Sequence, residues 1–180
     1  SKWSCAAKMR RAPRMIWALL AVLIPAAAFA GPAEELSGLF VQTCLPYAGR
    51  PQALRQWAMR EKLPLVPDPA RAAFLNGAPG QVFDASNNAG KFVLVSSDDG
   101  ICAVVTDHAG DLETAQALER ALTDAGIRFR LVIERDDKLN PKLHHREYLA
   151  TGSGPGGWRI LAATVHGDPP GQAMLTGAPE

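Results

Sequence analysis

Residues 91–107 read KFVLVSSDDGICAVVTD, two short apolar runs joined at Asp99-Gly100. Phe, Val and Ile suit strands, and an Asp-Gly pair tolerates the positive φ values of a type I′ turn, so the stretch predicts a β-hairpin. With Asp99 and Gly100 as a two-residue turn, Ser97 faces Cys102 and Val95 faces Val104. That register places Cys102, Val104, Val95 and Val93 on one face and Phe92, Leu94, Ala103 and Val105 on the other. Both faces are apolar, which predicts a hairpin interior to its sheet with cover on both sides.

Working outward, residues 33–45 set Leu36, Leu39, Phe40 and Cys44 at helical spacing before Pro46, and this helix is the expected cover for the Cys102 face. A second helix, PQALRQWAMREK, carries Leu54, Trp57 and Ala58 on one side and Arg55, Arg60 and Glu61 on the other. The prolines of LPLVPDP force an extended crossing, and Pro69 opens a short helix that Asn76-Gly77 ends. Downstream, Asp111 is expected to cap DLETAQALERALTDAG, with the stripe Leu112, Ala115, Leu118, Leu122 and Ala125 inward and Gly126 as the left-handed exit. Residues 127–135 alternate, with Ile127, Phe129, Leu131 and Ile133 inward and Arg128, Arg130, Val132 and Glu134 outward. HHREYLAT, WRILAATV and QAMLT, separated by Gly/Pro-rich joints, complete an antiparallel meander. The expected fold is α+β: N-terminal helices and one long central helix packed on a largely antiparallel sheet of about six or seven strands.

Residues 15–30 (MIWALLAVLIPAAAFA) carry no charge, follow Arg10, Arg11 and Arg14, and end in Ala28-Phe29-Ala30. This is the order of a secretory signal, so residues 1–30 are expected to be a signal peptide cleaved after Ala30 and residues 31–180 one domain in the periplasm. Cys5 leaves with the signal, and the pair left behind, Cys44 and Cys102, is expected to form a disulfide in an oxidising compartment. Five of the nineteen basic residues lie in the first thirty without an acid, leaving fourteen against eighteen acidic residues and a net charge of −4 on the mature part. That balance argues against a nucleic-acid surface.

Chemistry-bearing clusters are few. In His144-His145-Arg146-Glu147, strand alternation puts His144 with Arg146 and His145 with Glu147, and two residues per face do not hold a metal. A zinc site needs a third ligand such as Glu134 or His166, so the expectation is no metal and no cofactor. Asp98-Asp99 and Asp136-Asp137 read as turn and loop chemistry. GSGPGG lacks the Lys-Ser/Thr and the helix of a phosphate loop, and neither GxSxG nor SxxK occurs. No catalytic set is expected. The outward arginines Arg128 and Arg130, with Arg146 and Arg159 on neighbouring strands, are the expected binding patch for an anionic ligand or an envelope partner, Arg128, Arg130 and Arg146 foremost.

VFDASNNAGKFVLVSSDDGICAVV, HREYLATG, WRILAATV and QAMLT resemble segments of a group of small exported proteobacterial proteins, some of them lipoproteins. The resemblance runs from about residue 39 to residue 176 and implies export, while bringing no catalytic motif. The chain departs from the lipoprotein members in having no cysteine at the end of its signal.

The reading is therefore a non-enzymatic periplasmic accessory or binding protein of the bacterial envelope, touching the membrane only through its signal segment. Two rivals stand beside it: a small hydrolase or metal-dependent enzyme built on His144, His145, Glu147 and Glu134, and a tethered envelope component should the signal stay uncut.

Overall fold

In the computed structural model, residues 31–152, 156–167, 169 and 171–180 are described; the expected signal segment lies outside them. Three helices come first, α1 (Pro32–Tyr47), α2 (Pro51–Arg60) and α3 (Asp68–Leu75). They are followed by β1 (Gly80–Asp84), β2 (Phe92–Ser97), β3 (Cys102–Thr106) and helix α4 (Asp111–Asp124). The meander is β4 (Arg128–Asp136), β5 (Leu143–Thr151), β6 (Trp158–Val165) and β7 (Ala173–Pro179). All seven strands join one antiparallel sheet in the order β1-β2-β3-β7-β6-β5-β4, so the fold is α+β. The meander returns to β3 through β7, which makes the hairpin of β2 and β3 interior as expected. β1 is a strand that the sequence pattern did not single out. With 14 residues α4 is shorter than the 16-residue α1, so it is not the long central helix expected.

The hairpin register differs from expectation by one residue. Asp98, Asp99 and Gly100 form a three-residue loop closed by the Ser97 amide donating to the Ile101 carbonyl, with Gly100 at φ +91°. A type I turn followed by a left-handed glycine has this form. Ser96 consequently faces Cys102 and Leu94 faces Val104. One residue of slip exchanges every side chain of β2 between faces. Phe92 and Leu94 thus join Cys102 and Val104 in the main core, and Val95 lies with Ala103, Val105 and Val82 on the other side.

Helices α1, α2 and α4 cover one face. α1 buries Leu36, Phe40 and Cys44, and its disulfide to Cys102 has Cα atoms 5.2 Å apart. Closing a loop of 58 positions stabilises the fold by about 4 kcal/mol in the chain-entropy account. Arg55, expected on the polar side of α2, is only 8 % exposed. It donates to the Ser96 hydroxyl and carbonyl and pairs with Asp98, so α2 grips the hairpin tip. On α4 the buried residues are Thr114, Ala115, Ala117, Leu118 and Leu122, while Leu112 is 62 % exposed. The inward stripe is thus rotated from the one read in sequence, and Ala125 is exposed. Gly110 holds the N-cap position and Asp111 lies in the first turn, so Asp111 is not the expected cap.

On the opposite face, α3 and Val66 cover β1–β3 by packing Phe74 and Leu75 onto Val82, Val95, Ala103 and Val105. Among the described residues no helix covers β5, β6 and β7 from this side.

Candidate functional site

β4 carries the detail that sorts the polar side chains. Leu131 faces Tyr148 but Ile133 faces Glu147, so Val132 is a bulge. Beyond it the strand's two faces exchange. Phe129 and Leu131 point toward α4 as expected, whereas Ile133 lies on the helix-free face, 40 % exposed. Glu134, expected outward, turns to the α4 side opposite Arg146. Two polar regions result, one per face of the sheet.

On the α4 side, Asp111 projects from the first turn of α4 onto the sheet. Its two carboxylate oxygens accept from Arg146 Nη1 and Nη2, and Oδ1 also accepts from the Thr164 hydroxyl. Arg146 Nε donates to Glu134 Oε1 at 2.9 Å. Burial by itself would raise the Asp111 carboxyl, but the bonds from Arg146 and Thr164 and the Arg146 charge outweigh it and hold it below the usual carboxylate range. Burial by itself would lower Arg146, 11 % exposed, but the bond and charge of Asp111 and the charge of Glu134 together outweigh it and raise the group overall. Next to this knot, His144 Nδ1 lies 2.7 Å from Asp136 Oδ1, and the hydrogen bond is the main reason the Asp136 carboxyl is lowered. His166 completes the group, with Nε2 3.7 Å from Asp136 Oδ1 and its ring edge-on to that of His144. Two imidazoles and a carboxylate therefore meet, with their donor atoms all within 4.8 Å of one another. Sequence reading named His166 as a possible third ligand but assigned Asp136 to loop chemistry. Asp137, which accepts from the Leu139 and Asn140 amides, does have that loop role.

On the helix-free side, an apolar trough of about 360 Å³ runs along β3, β7, β6 and β5. Val105, Met174, Leu161, Ala163 and Val165 line it, α3 walls it with Ala73 and Phe74, and His145 and Gln172 supply polar atoms. The strand registers place Arg128, Arg130 and Arg135 of β4 and Arg159 of β6 on this same face. Arg159 pairs with Glu147, while no carboxylate among the described residues pairs with the three arginines of β4.

The expected arginine patch is thereby corrected. Arg128 and Arg130 are exposed on the helix-free face, and Arg146 lies on the other, enclosed by Asp111 and Glu134. Arg159 does share the face of Arg128 and Arg130 as expected, and Arg135 joins them in place of Arg146. The expected hydrolytic set is divided in the same way: His145 and Glu147 face the trough side, and His144 and Glu134 face α4. The trough had no sequence signal of its own, because its lining comes from four strands and α3. No protein-family model matches the chain, and no curated protein matches it.

Proposed function

We propose that this chain is a non-enzymatic accessory or binding protein of the bacterial envelope. It is exported to the periplasm with its signal removed after Ala30, and it engages an acidic, amphipathic segment of another envelope protein through the helix-free face of its sheet. The observation that carries the reading is an apolar trough on the same sheet face as three arginines of β4 that have no carboxylate partner among the described residues, Arg135 facing His145 at the trough's edge and Arg130 and Arg128 farther along the strand. An apolar concavity of about 300–1,000 Å³ is the usual size of a binding site. Arginine enriches binding surfaces and sets charge complementarity and encounter rate. A mature part with a net charge of −4 that gathers exposed cations on this face is complementary there to an acidic partner. The disulfide and the absence, among the described residues, of a helix long and apolar enough to cross a membrane accord with an exported domain.

The test is in-cell chemical cross-linking of the full chain in its native cells, comparing wild type with Arg128→Glu/Arg130→Glu/Arg135→Glu and with Ala163→Trp, which fills the trough. The expected result is one discrete adduct with a second protein, lost in both variants at unchanged cellular level. An adduct that survives both changes, or none at all, overturns the reading. The intact mass of the periplasmic form tests export separately, with Gly31 as the expected first residue.

A further inference from the structure

We propose that Asp136, His144 and His166 bind one divalent first-row transition-metal ion, with zinc as the reference ion. The site lies on the face opposite the trough and stands independently of the partner reading. Its scaffold is specific. Asp136 ends β4 directly across from His144 on β5, and His144 lies directly across from Thr164 on β6. His166 follows Thr164 by two residues, and its amide donates to the Lys142 carbonyl at 2.7 Å, which ties it to the chain entering β5. Three adjacent chain segments therefore present one ligand each.

The distances suit a small ion. A tetrahedral centre with ligands at 2.0–2.1 Å sets its ligand atoms about 3.3 Å apart. The two separations from Asp136 Oδ1, 2.7 Å to His144 Nδ1 and 3.7 Å to His166 Nε2, straddle that value, and all three ligand atoms lie within 4.8 Å of one another. The remaining ring nitrogens are placed as metal-bound histidines require. His144 Nε2 is buried without a hydrogen-bond partner and lies 3.5 Å from Glu134 Oε1, and His166 Nδ1 lies 3.9 Å from Asp111 Oδ2. A carboxylate stands behind each ring just beyond hydrogen-bond distance, and closing that gap when the ion binds would fix the ring's tautomer and raise its basicity as a ligand. The assignment is thus Nδ1 for His144 and Nε2 for His166.

Charge and donor type agree. Asp111 and Glu134 pair with Arg146, and Asp136 lies against His144, so three carboxylates meet one guanidinium in this group, a local balance of −2 that a divalent cation neutralises. Two imidazoles and one carboxylate suit zinc, iron or cobalt better than calcium or magnesium, which prefer all-oxygen shells. Asp136 and His166 are 61 % and 43 % exposed in their side chains, so the ion enters from solvent and keeps an outward coordination position for water or a partner's ligand.

The test is calorimetric titration of Zn²⁺ into tag-free chain comprising residues 31–180, stripped of metal by chelation, with the visible spectrum of the Co²⁺ form as a second readout. The expected result is stoichiometric binding and a tetrahedral Co²⁺ spectrum. Glu134→Gln, which keeps the side chain's shape but removes the carboxylate charge behind His144 and beside Arg146, is expected to weaken binding by roughly 10–100-fold. His166→Ala should weaken it further and abolish the zinc-induced rise in Tm; the ring is half exposed, so the metal-free Tm should hardly move. His108→Ala, outside the cluster, should leave the affinity unchanged. Absence of stoichiometric Zn²⁺ binding to wild type, or equal binding to wild type and His166→Ala, overturns the proposal, as does loss of binding in a folded His108→Ala chain.

Discussion

Arg55 belongs to a helix face that reads as polar, yet its guanidinium is buried against the hairpin tip, where it serves Ser96 and Asp98 together. Removing it takes a donor from the Ser96 hydroxyl and carbonyl and the cation from Asp98. Arg55→Ala is therefore expected to lower unfolding free energy by about 1–3 kcal/mol in urea denaturation, against less than about 0.5 kcal/mol for Arg128→Ala on the exposed edge strand. Tyr148 makes a second residue-scale prediction. Its ring is buried against Phe129, its hydroxyl donates to Glu119, and its pKa is raised first by burial and then by the Glu119 charge. The unfolded chain releases this proton near the ordinary tyrosine value of about 10, whereas the folded chain holds it to higher pH. Stability is thus unaffected by this group below about pH 10 and falls as the pH rises beyond it, by up to about 1.4 kcal/mol per unit. Phenolate absorbance from Tyr148 should grow in only together with unfolding, and Tyr148→Phe should flatten the alkaline limb. A Tyr148 signal appearing while the protein is still folded would contradict the packing described.

At the scale of elements, three ties hold α1 and α2 to the β2–β3 hairpin: the disulfide, the Arg55 grip, and the Gly49 amide donating to the Gly100 carbonyl at 3.0 Å. A Cβ on Gly100 would lie 2.8 Å from the Gly49 Cα at a positive φ. Gly100→Ala should therefore destabilise clearly, since neither backbone can yield, and replacing both Cys44 and Cys102 by Ala should cost about 2–5 kcal/mol. Urea denaturation measures both. Cross-strand NMR contacts between Leu94 and Val104 would test the register, and contacts between Val95 and Val104 instead would refute it. The existence of the hairpin was legible from its apolar runs and turn pair, but Asp-Gly fits both a two-residue turn and a three-residue loop. The choice rests on partners elsewhere in the chain, Gly49 and Cys44, which periodicity does not contain. The bulge in β4 left a trace that went unread, since Leu131-Val132-Ile133 interrupts the alternation of the strand. From that residue onward the two faces exchange, which carries Glu134 and Asp136 to the α4 side with Arg146 and His144; Arg128 and Arg130 precede the bulge, and Arg146 parts from them by the alternation of β5 itself. Asp136, His144 and His166 are brought together by strand pairing rather than by a local motif, so their union became readable only once the meander's order was known.

For the molecule as a whole, the helices divide the sheet into two differently equipped sides. The α4 side carries the main core and the Asp136–His144–His166 cluster at the sheet's end; the other carries an apolar trough and, along the edge strand β4, a row of arginines. Edge-strand cations discourage pairing with another sheet, and β4, which carries Arg128, Arg130 and Arg135, is an edge strand. Binding through such a face should weaken as salt rises, because its cations are exposed and screened. The most direct measurement is a photo-cross-linking scan in native cells, with the reactive side chain introduced singly at Leu161 and Met174 in the trough and at Leu112 and Gln116 on exposed α4. Adducts with one protein from positions 161 and 174, and none from 112 and 116, are what the partner reading predicts. Adducts from the α4 positions with silence from the trough would contradict it.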